Sequence, residues 1–190
     1  MSTHYGVDLK EPLLTQVNVV DDFFPPEVFY QVHKWFTHEC YWFYNPYVNK
    51  EGDHPDDYQF QHVFLLPDRG VVTDCMFALQ PFFDRIPASE WIRVKANLRP
   101  KCHEMRVGGF HIDYEDCITS IFYFNDNDGQ TTFESGGYVK SVANRLITFP
   151  SNLRHSVKPN GNDVKRYALA FNYIPTGEMS VGANKIKLSI

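Results

Sequence analysis

Beyond Pro87 the chain breaks into short apolar runs closed by turn residues, and in the first of them the apolar residues fall at every second position. Ile92, Val94, Ala96 and Leu98 alternate with Arg93, Lys95 and Asn97, the period of a half-buried strand. Further short strands are expected at 117–124, 131–133, 138–142, 146–149, 155–157 and 164–174. Turn residues punctuate them at 125–129, 136–137, 150–152 and 160–161. Many short, evenly spaced strands suggest a β-sandwich or jelly roll, which buries one face of each.

The first ninety or so residues read differently. Val17 to Val20 suits a short strand, and Pro25-Pro26 can open a helix but not sit inside one. Val28, Phe29, Val32, Trp35 and Phe36 then follow with helical spacing, and a second helix is expected over 72–83, with Cys75, Met76, Leu79, Phe82 and Phe83 on one stripe. Between them, residues 41–57 start aromatic and end acidic, the pattern of a strand end and a long polar loop. No internal repeat or linker interrupts the chain. A single domain over 1–190 is expected, with a strand and helices to about residue 90, the β core at about 91–175 and a tail at 176–190.

Composition narrows the partners. Three Trp, 11 Tyr and 16 Phe among 190 residues exclude a disordered chain. A net charge of −5 argues against nucleic acid as a partner, and no apolar run is long enough to span a membrane. The first 16 residues lack the apolar core of a signal peptide, so a cytoplasmic location is expected. Cys40, Cys75, Cys102 and Cys117 form no Cys-x-x-Cys pair and are expected as reduced thiols.

The stretch from Gly108 to Tyr173 carries the chemistry. His111 and Asp113 stand two apart, so on a strand or its edge both side chains point one way. A third ligand must come from elsewhere in the fold, and His155, 44 residues on, is the candidate. Two histidines and one carboxylate on one face leave metal positions open, as in non-haem iron sites. A His-x-Asp pair alone equally suits a surface or hydrogen-bonded histidine. His103, beside Cys102 and Glu104, has no partner at ligand spacing.

Several ordered segments here resemble the 2-oxoglutarate- and Fe(II)-dependent oxygenases, in their prolyl 4-hydroxylase-like branch. Gly109-Phe110-His111-Ile112-Asp113 is similar to that family's Gly-Tyr-x-x-His-x-Asp region, with closer spacing. Thr119 to Asp126 looks like its Thr-x-(apolar)-x-Tyr-Leu-Asn strand. Asp128-Gly129-Gln130-Thr131-Thr132-Phe133 looks like its Gly-Gly-x-Thr-x-Phe segment, with Asp for the first Gly. Asn144 to Ser151, running on to His155, resembles the approach to its distal metal histidine. Arg166, eleven positions beyond His155, sits where that family places the basic residue for the 2-oxoglutarate tail. Even Val17 to Phe36 is similar to its opening strand and helix.

The resemblance implies a double-stranded β-helix (jelly-roll) core with an N-terminal helical buttress. It implies Fe(II) on His111, Asp113 and His155, with 2-oxoglutarate and O₂ as co-substrates and ascorbate as reductant. Arg166 would hold the distal carboxylate of 2-oxoglutarate by a bidentate pair, with a hydroxyl from Tyr123. Arg166 shares its strand face with Ala168 and Ala170, which leave room for a ligand, while Tyr167, Leu169, Phe171 and Tyr173 suit packing. The Asn160-Gly161 turn by itself would pair His155 against Arg166, whereas the family arrangement sets these strands in facing sheets. The implied activity is hydroxylation of an unactivated C–H bond, first of a prolyl residue in a peptide or protein. Free proline or another small molecule, and a non-catalytic metal-binding jelly roll, are the alternatives. The 41–57 loop suits a solvated connection, with a cover that closes over the substrate as the alternative.

Overall fold

The computed structural model describes residues 4–48 and 58–177. Among the described residues, twelve strands make two antiparallel sheets: β1 (Val7–Leu9), β2 (Asn18–Val20), β3 (Phe43–Asn45), β4 (Gln59–Leu66), β5 (Gly70–Val71), β6 (Ala88–Pro100), β7 (Ile118–Tyr123), β8 (Gln130–Phe133), β9 (Gly137–Lys140), β10 (Arg145–Pro150), β11 (His155–Lys158) and β12 (Lys165–Pro175). The large sheet runs β2-β10-β7-β12-β6-β4-β3, with β5 on β4, and the small one runs β1-β9-β8-β11. This is the jelly roll expected from the turn spacing. The residues before 90 also contribute strands to both sheets, so they are more than a strand and helices beside them.

Parity along the strands sorts two cores. Tyr167, Leu169, Phe171 and Tyr173 of β12 join Phe122 of β7 and Val94 and Ala96 of β6 on the outer face of the large sheet. There they meet Phe23, Phe24, Val32, Phe36, Leu79 and Phe82, a mass of edge-on and tilted rings. Ala168, Ile121, Tyr123, Ile147 and Phe149 point the other way and meet Phe133 and Val139 of the small sheet. The residues of one strand thus build two cores, and the space between the sheets houses the site.

The first helix expected from the sequence is α2 (Pro26–Lys34), and a short α1 (Leu13–Gln16) precedes it. Proline fits at its start because the missing N–H would have no partner there. It continues into one π-helical turn at Trp35–Glu39, which sinks Phe36 under the sheet. The second expected helix is shorter than 72–83. Only Met76–Leu79, as a 3-10 turn, and α3 (Gln80–Phe83) are helical. Pro81 has no N–H for a continuous α-ladder, so it stands in the first turn of a new one. The stripe still packs, with Cys75, Leu79 and Phe82 buried. Strand β4 is an addition that alternation did not reveal, since Phe60, Val63, Phe64, Leu65 and Leu66 do not keep a period of two.

Of the 41–57 loop, residues 49–57 lie outside the described residues, as does most of the expected tail. In its aromatic half, Trp42 packs partly buried against Tyr167, ring centroids 5.7 Å apart, and is taken up by the core. The four cysteines are free thiols, Cys40, Cys75 and Cys117 buried. No helix among the described residues is long and apolar enough to cross a membrane.

Candidate metal centre and co-substrate pocket

Residues 108–113 lie along the free edge of β11. His111 and His155 stand directly opposite, each donating its backbone N–H to the other's carbonyl at 3.0 and 2.9 Å. Asp113 donates its N–H to the carbonyl of Ser151, which keeps the segment extended past His111. The imidazole rings sit 4.7 Å apart and the carboxylate of Asp113 lies before them. One ligand atom from each residue falls within 4.8 Å of the others, the one such cluster of three among the described residues. His103 is outside it and exposed, beside a Glu104–Arg106 ion pair at 2.7 Å.

The donor atoms are oriented for a cation. His155 donates Nδ1–H to the carbonyl of Leu153 at 2.9 Å, so neutral imidazole presents a bare Nε2. Burial pushes the His155 pKa down, favouring that neutral form, although the Asp113 charge acts against it. Asp113 is held from three sides: Arg93 Nη2 donates to Oδ1 at 2.6 Å, and Thr119 Oγ1 and Asn172 Nδ2 each donate to Oδ2 at 3.0 Å. Burial alone would raise its pKa, but Arg93, His155 and the hydrogen bonds hold it far below the usual carboxylate range. Two imidazole nitrogens and an ionised carboxylate, with open space on one side, fit a divalent transition metal.

Arg166 and Tyr123 are also brought together. Arg166 lies on the inner face of β12, donates Nε–H to Ser141 Oγ at 2.7 Å and rests over the Tyr123 ring at 5.2 Å. The Tyr123 hydroxyl meets Thr131 Oγ1 at 2.6 Å. Arg166 is 3% exposed, no carboxylate pairs with it among the described residues, and its Nη2 is buried with no acceptor. A buried guanidinium without an anion is costly, so this corner fits a carboxylate from outside the chain. Strands β11 and β12 belong to different sheets, as the family arrangement requires and the local turn alone would not. Gly161 instead donates its N–H to Asp128 Oδ1, tying the turn to the loop before β8.

A cavity of about 290 Å³ opens over the His111–Asp113–His155 cluster. Ile121, Val157 and Ala170 line it on the apolar side, and Arg93, Lys95, Asn97 and Gln59 on the polar side. Arg166 and Tyr123 are not part of its lining. They lie further along the same faces, two residues from Ile121 and four from Ala170. The sequence pattern did not single out Arg93, Lys95, Asn97 or Asn172, and it marked Thr119 only as the start of a family-like strand. As the polar half of a half-buried strand, Arg93, Lys95 and Asn97 belong in solvent; here that half faces the cavity. Ion-pairing capacity on a central strand is the one signal that could have marked them.

No family model matches the sequence, and no curated protein matches it. Solved structures do match. An oxidoreductase of the 2OG-Fe(II) oxygenase family from Burkholderia pseudomallei superposes with a TM-score of 0.62 at 10% identity, over 88% of this chain and 89% of that one. A Trichoplax adhaerens prolyl hydroxylase, in complex with a hypoxia inducible factor peptide fragment, gives 0.58 at 16% identity over 85% and 84%. HygX from Streptomyces hygroscopicus, with nickel, 2-oxoglutarate and hygromycin B bound, gives 0.55 at 11% identity over 90% of each chain. This chain has the jelly-roll fold of the 2-oxoglutarate/Fe(II) oxygenases.

Proposed function

We propose that this protein is an Fe(II)- and 2-oxoglutarate-dependent dioxygenase that hydroxylates an unactivated C–H bond. The observation that carries it is the convergence of His111, Asp113 and His155 beside a buried Arg166 that has no anion of its own. Iron, 2-oxoglutarate and dioxygen together supply the oxidising power for C–H hydroxylation, with succinate and carbon dioxide as co-products and ascorbate as reductant.

The chain's own residues do the positioning. Arg93, Thr119 and Asn172 fix the Asp113 carboxylate, and the Leu153 carbonyl fixes the His155 tautomer. Arg166 holds the distal carboxylate of 2-oxoglutarate and Tyr123 backs it with a ring face and a hydroxyl. Ala168 and Ala170 keep the path between them open, while Ile121, Val157 and Phe149 exclude water around the cluster. No side-chain base is needed for this chemistry. A non-catalytic metal-binding jelly roll would have no use for a buried arginine awaiting an anion.

For the substrate, the prolyl hydroxylase among the structural neighbours supports a prolyl residue in a peptide. One observation favours the second reading, a small molecule: the cavity wall opposite the cluster is polar and cationic, unlike a slot for a pyrrolidine ring. The test is incubation with Fe(II), 2-oxoglutarate and ascorbate across a peptide and metabolite library, with mass spectrometry for products that gain one oxygen. Succinate formation that needs Fe(II) and is lost in His155→Ala is expected. Succinate formation unaffected by that substitution would overturn the assignment.

A further inference from the structure

Strand β6 turns Arg93, Lys95 and Asn97 into the cavity, next to Asn172, Ala170 and Ala168 of β12 in register. Arg93 is engaged by Asp113 and Asn172. Lys95 is not: this half-buried ammonium lines the cavity and makes no hydrogen bond or ion pair with a described residue. Two residues on, Asn97 Oδ1 is buried and receives no donor. Asp113 is the only acid lining the cavity among the described residues, and Arg93 already neutralises it. A cation without an acceptor and a carbonyl without a donor, side by side over two alanines, are both costly to bury unpaired.

We propose that Lys95 and Asn97 form a subsite for the primary substrate, Lys95 pairing with a carboxylate and Asn97 Oδ1 accepting an adjacent N–H. The substrate class is a small amino-acid-like acid rather than a residue inside a peptide, which carries no carboxylate of its own beside its N–H. This rests on the oxygenase reading above. There, Arg166 takes one carboxylate of 2-oxoglutarate and the metal takes the other, so Lys95 is left over for a second anion.

The test compares free L-amino acids with their C-terminal amides as calorimetric probes of the Mn(II)-loaded protein under saturating 2-oxoglutarate. At least one acid is expected to bind about tenfold or more tighter than its amide, the scale of a charged hydrogen bond. Lys95→Met should erase that preference, Lys95→Arg should restore part of it, and 2-oxoglutarate affinity should stay unchanged in both. The proposal is overturned if no acid binds, or if acids and amides bind alike. It is also overturned if Lys95→Met weakens 2-oxoglutarate instead, since Lys95 would then serve the co-substrate's tail. Absence of Mn(II) and 2-oxoglutarate binding in the parent would sink the oxygenase reading alone. The acid–amide contrast, repeated on metal-free protein, would still report on the subsite.

Discussion

At the scale of single residues, two cations between the sheets, Arg166 and Lys95, behave differently because of what surrounds them. Arg166 has a hydroxyl, an aromatic face and an unsatisfied Nη2, so removing it should cost 2-oxoglutarate about 3–5 kcal/mol of affinity, the loss expected when one side of a buried charge pair disappears. Tyr123→Phe should cost about 1 kcal/mol, and Arg166→Lys should fall between, keeping the charge without the fork. The charge-transfer band of the anaerobic Fe(II) complex reads all three, and equal affinities would disprove the tail assignment. Metal binding should survive in each, but should vanish in His111→Ala and His155→Ala and persist in His103→Ala. Lys95 makes a prediction in pH. Burial first, then the charge of Arg93, lowers its pKa from 10.5 to about 8, against the opposing pull of Asp113. The unfolded chain keeps that proton until about 10.5, so between these values it binds more protons than the folded one. Stability of the metal-free protein should therefore rise with pH across that window, while below it the burial penalty stands in full. Urea titrations of Lys95→Met should lack this rise; identical pH profiles would show that Lys95 is solvated.

At the scale of elements, the start of β8 lies against the arginine. A Cβ at Gly129 would meet Asn127 Oδ1 at 2.7 Å and Arg166 Cδ at 2.8 Å. Gly129→Ala should thus displace the guanidinium, weakening 2-oxoglutarate binding while leaving Mn(II) affinity as in the parent. Unchanged 2-oxoglutarate affinity would mean that the loop yields instead. That glycine was legible in the sequence as part of the Gly-Gly-x-Thr-x-Phe likeness, and most core strands were legible as short apolar runs closed by turn residues, even where both faces are buried. What was not legible has a physical cause in each case. Strand β4 has no clean alternation, since an irregularity between Val63 and Leu65 shifts its register, and only Gln59 at its start reaches the cavity. The stripe over 72–83 keeps its apolar spacing across a 3-10 turn, so periodicity overstates the helix. Lys95 and Asn97 look like solvent-facing polar residues unless the opposite sheet is known to cover them. At the turn before β10, Asn144 adopts φ 60°, and its side chain exchanges two hydrogen bonds with the Phe24 backbone, a long-range tie that spacing cannot announce.

At the scale of the whole molecule, the site is a seam between the sheets. His155 belongs to the small sheet and His111 extends its edge, while Arg93, Thr119, Asn172, Tyr123 and Arg166 belong to the large one. Asp113 is contacted from both, through the two imidazoles on one side and three donors on the other. A metal held by the cluster would therefore fasten the small sheet to the large through Asp113, and a 2-oxoglutarate held by both the metal and Arg166 would fasten them again further along. Neither ligand has these partners in the unfolded chain, so each must stabilise the fold by mass action. At about a hundredfold excess over its dissociation constant, each should add about 2.7 kcal/mol, or about 5–10 °C in Tm for a chain of this size. The variants should separate the two increments. His155→Ala should lose the Mn(II) increment, and with it most of the 2-oxoglutarate one, because the co-substrate then lacks its metal anchor. Arg166→Ala should keep the Mn(II) increment and lose only the second, and a chelator should reverse both in the parent. Differential scanning fluorimetry with each ligand alone and together is the measurement. An Mn(II) increment as large in His155→Ala as in the parent would place the metal away from the seam and dissolve the link between cluster and fold.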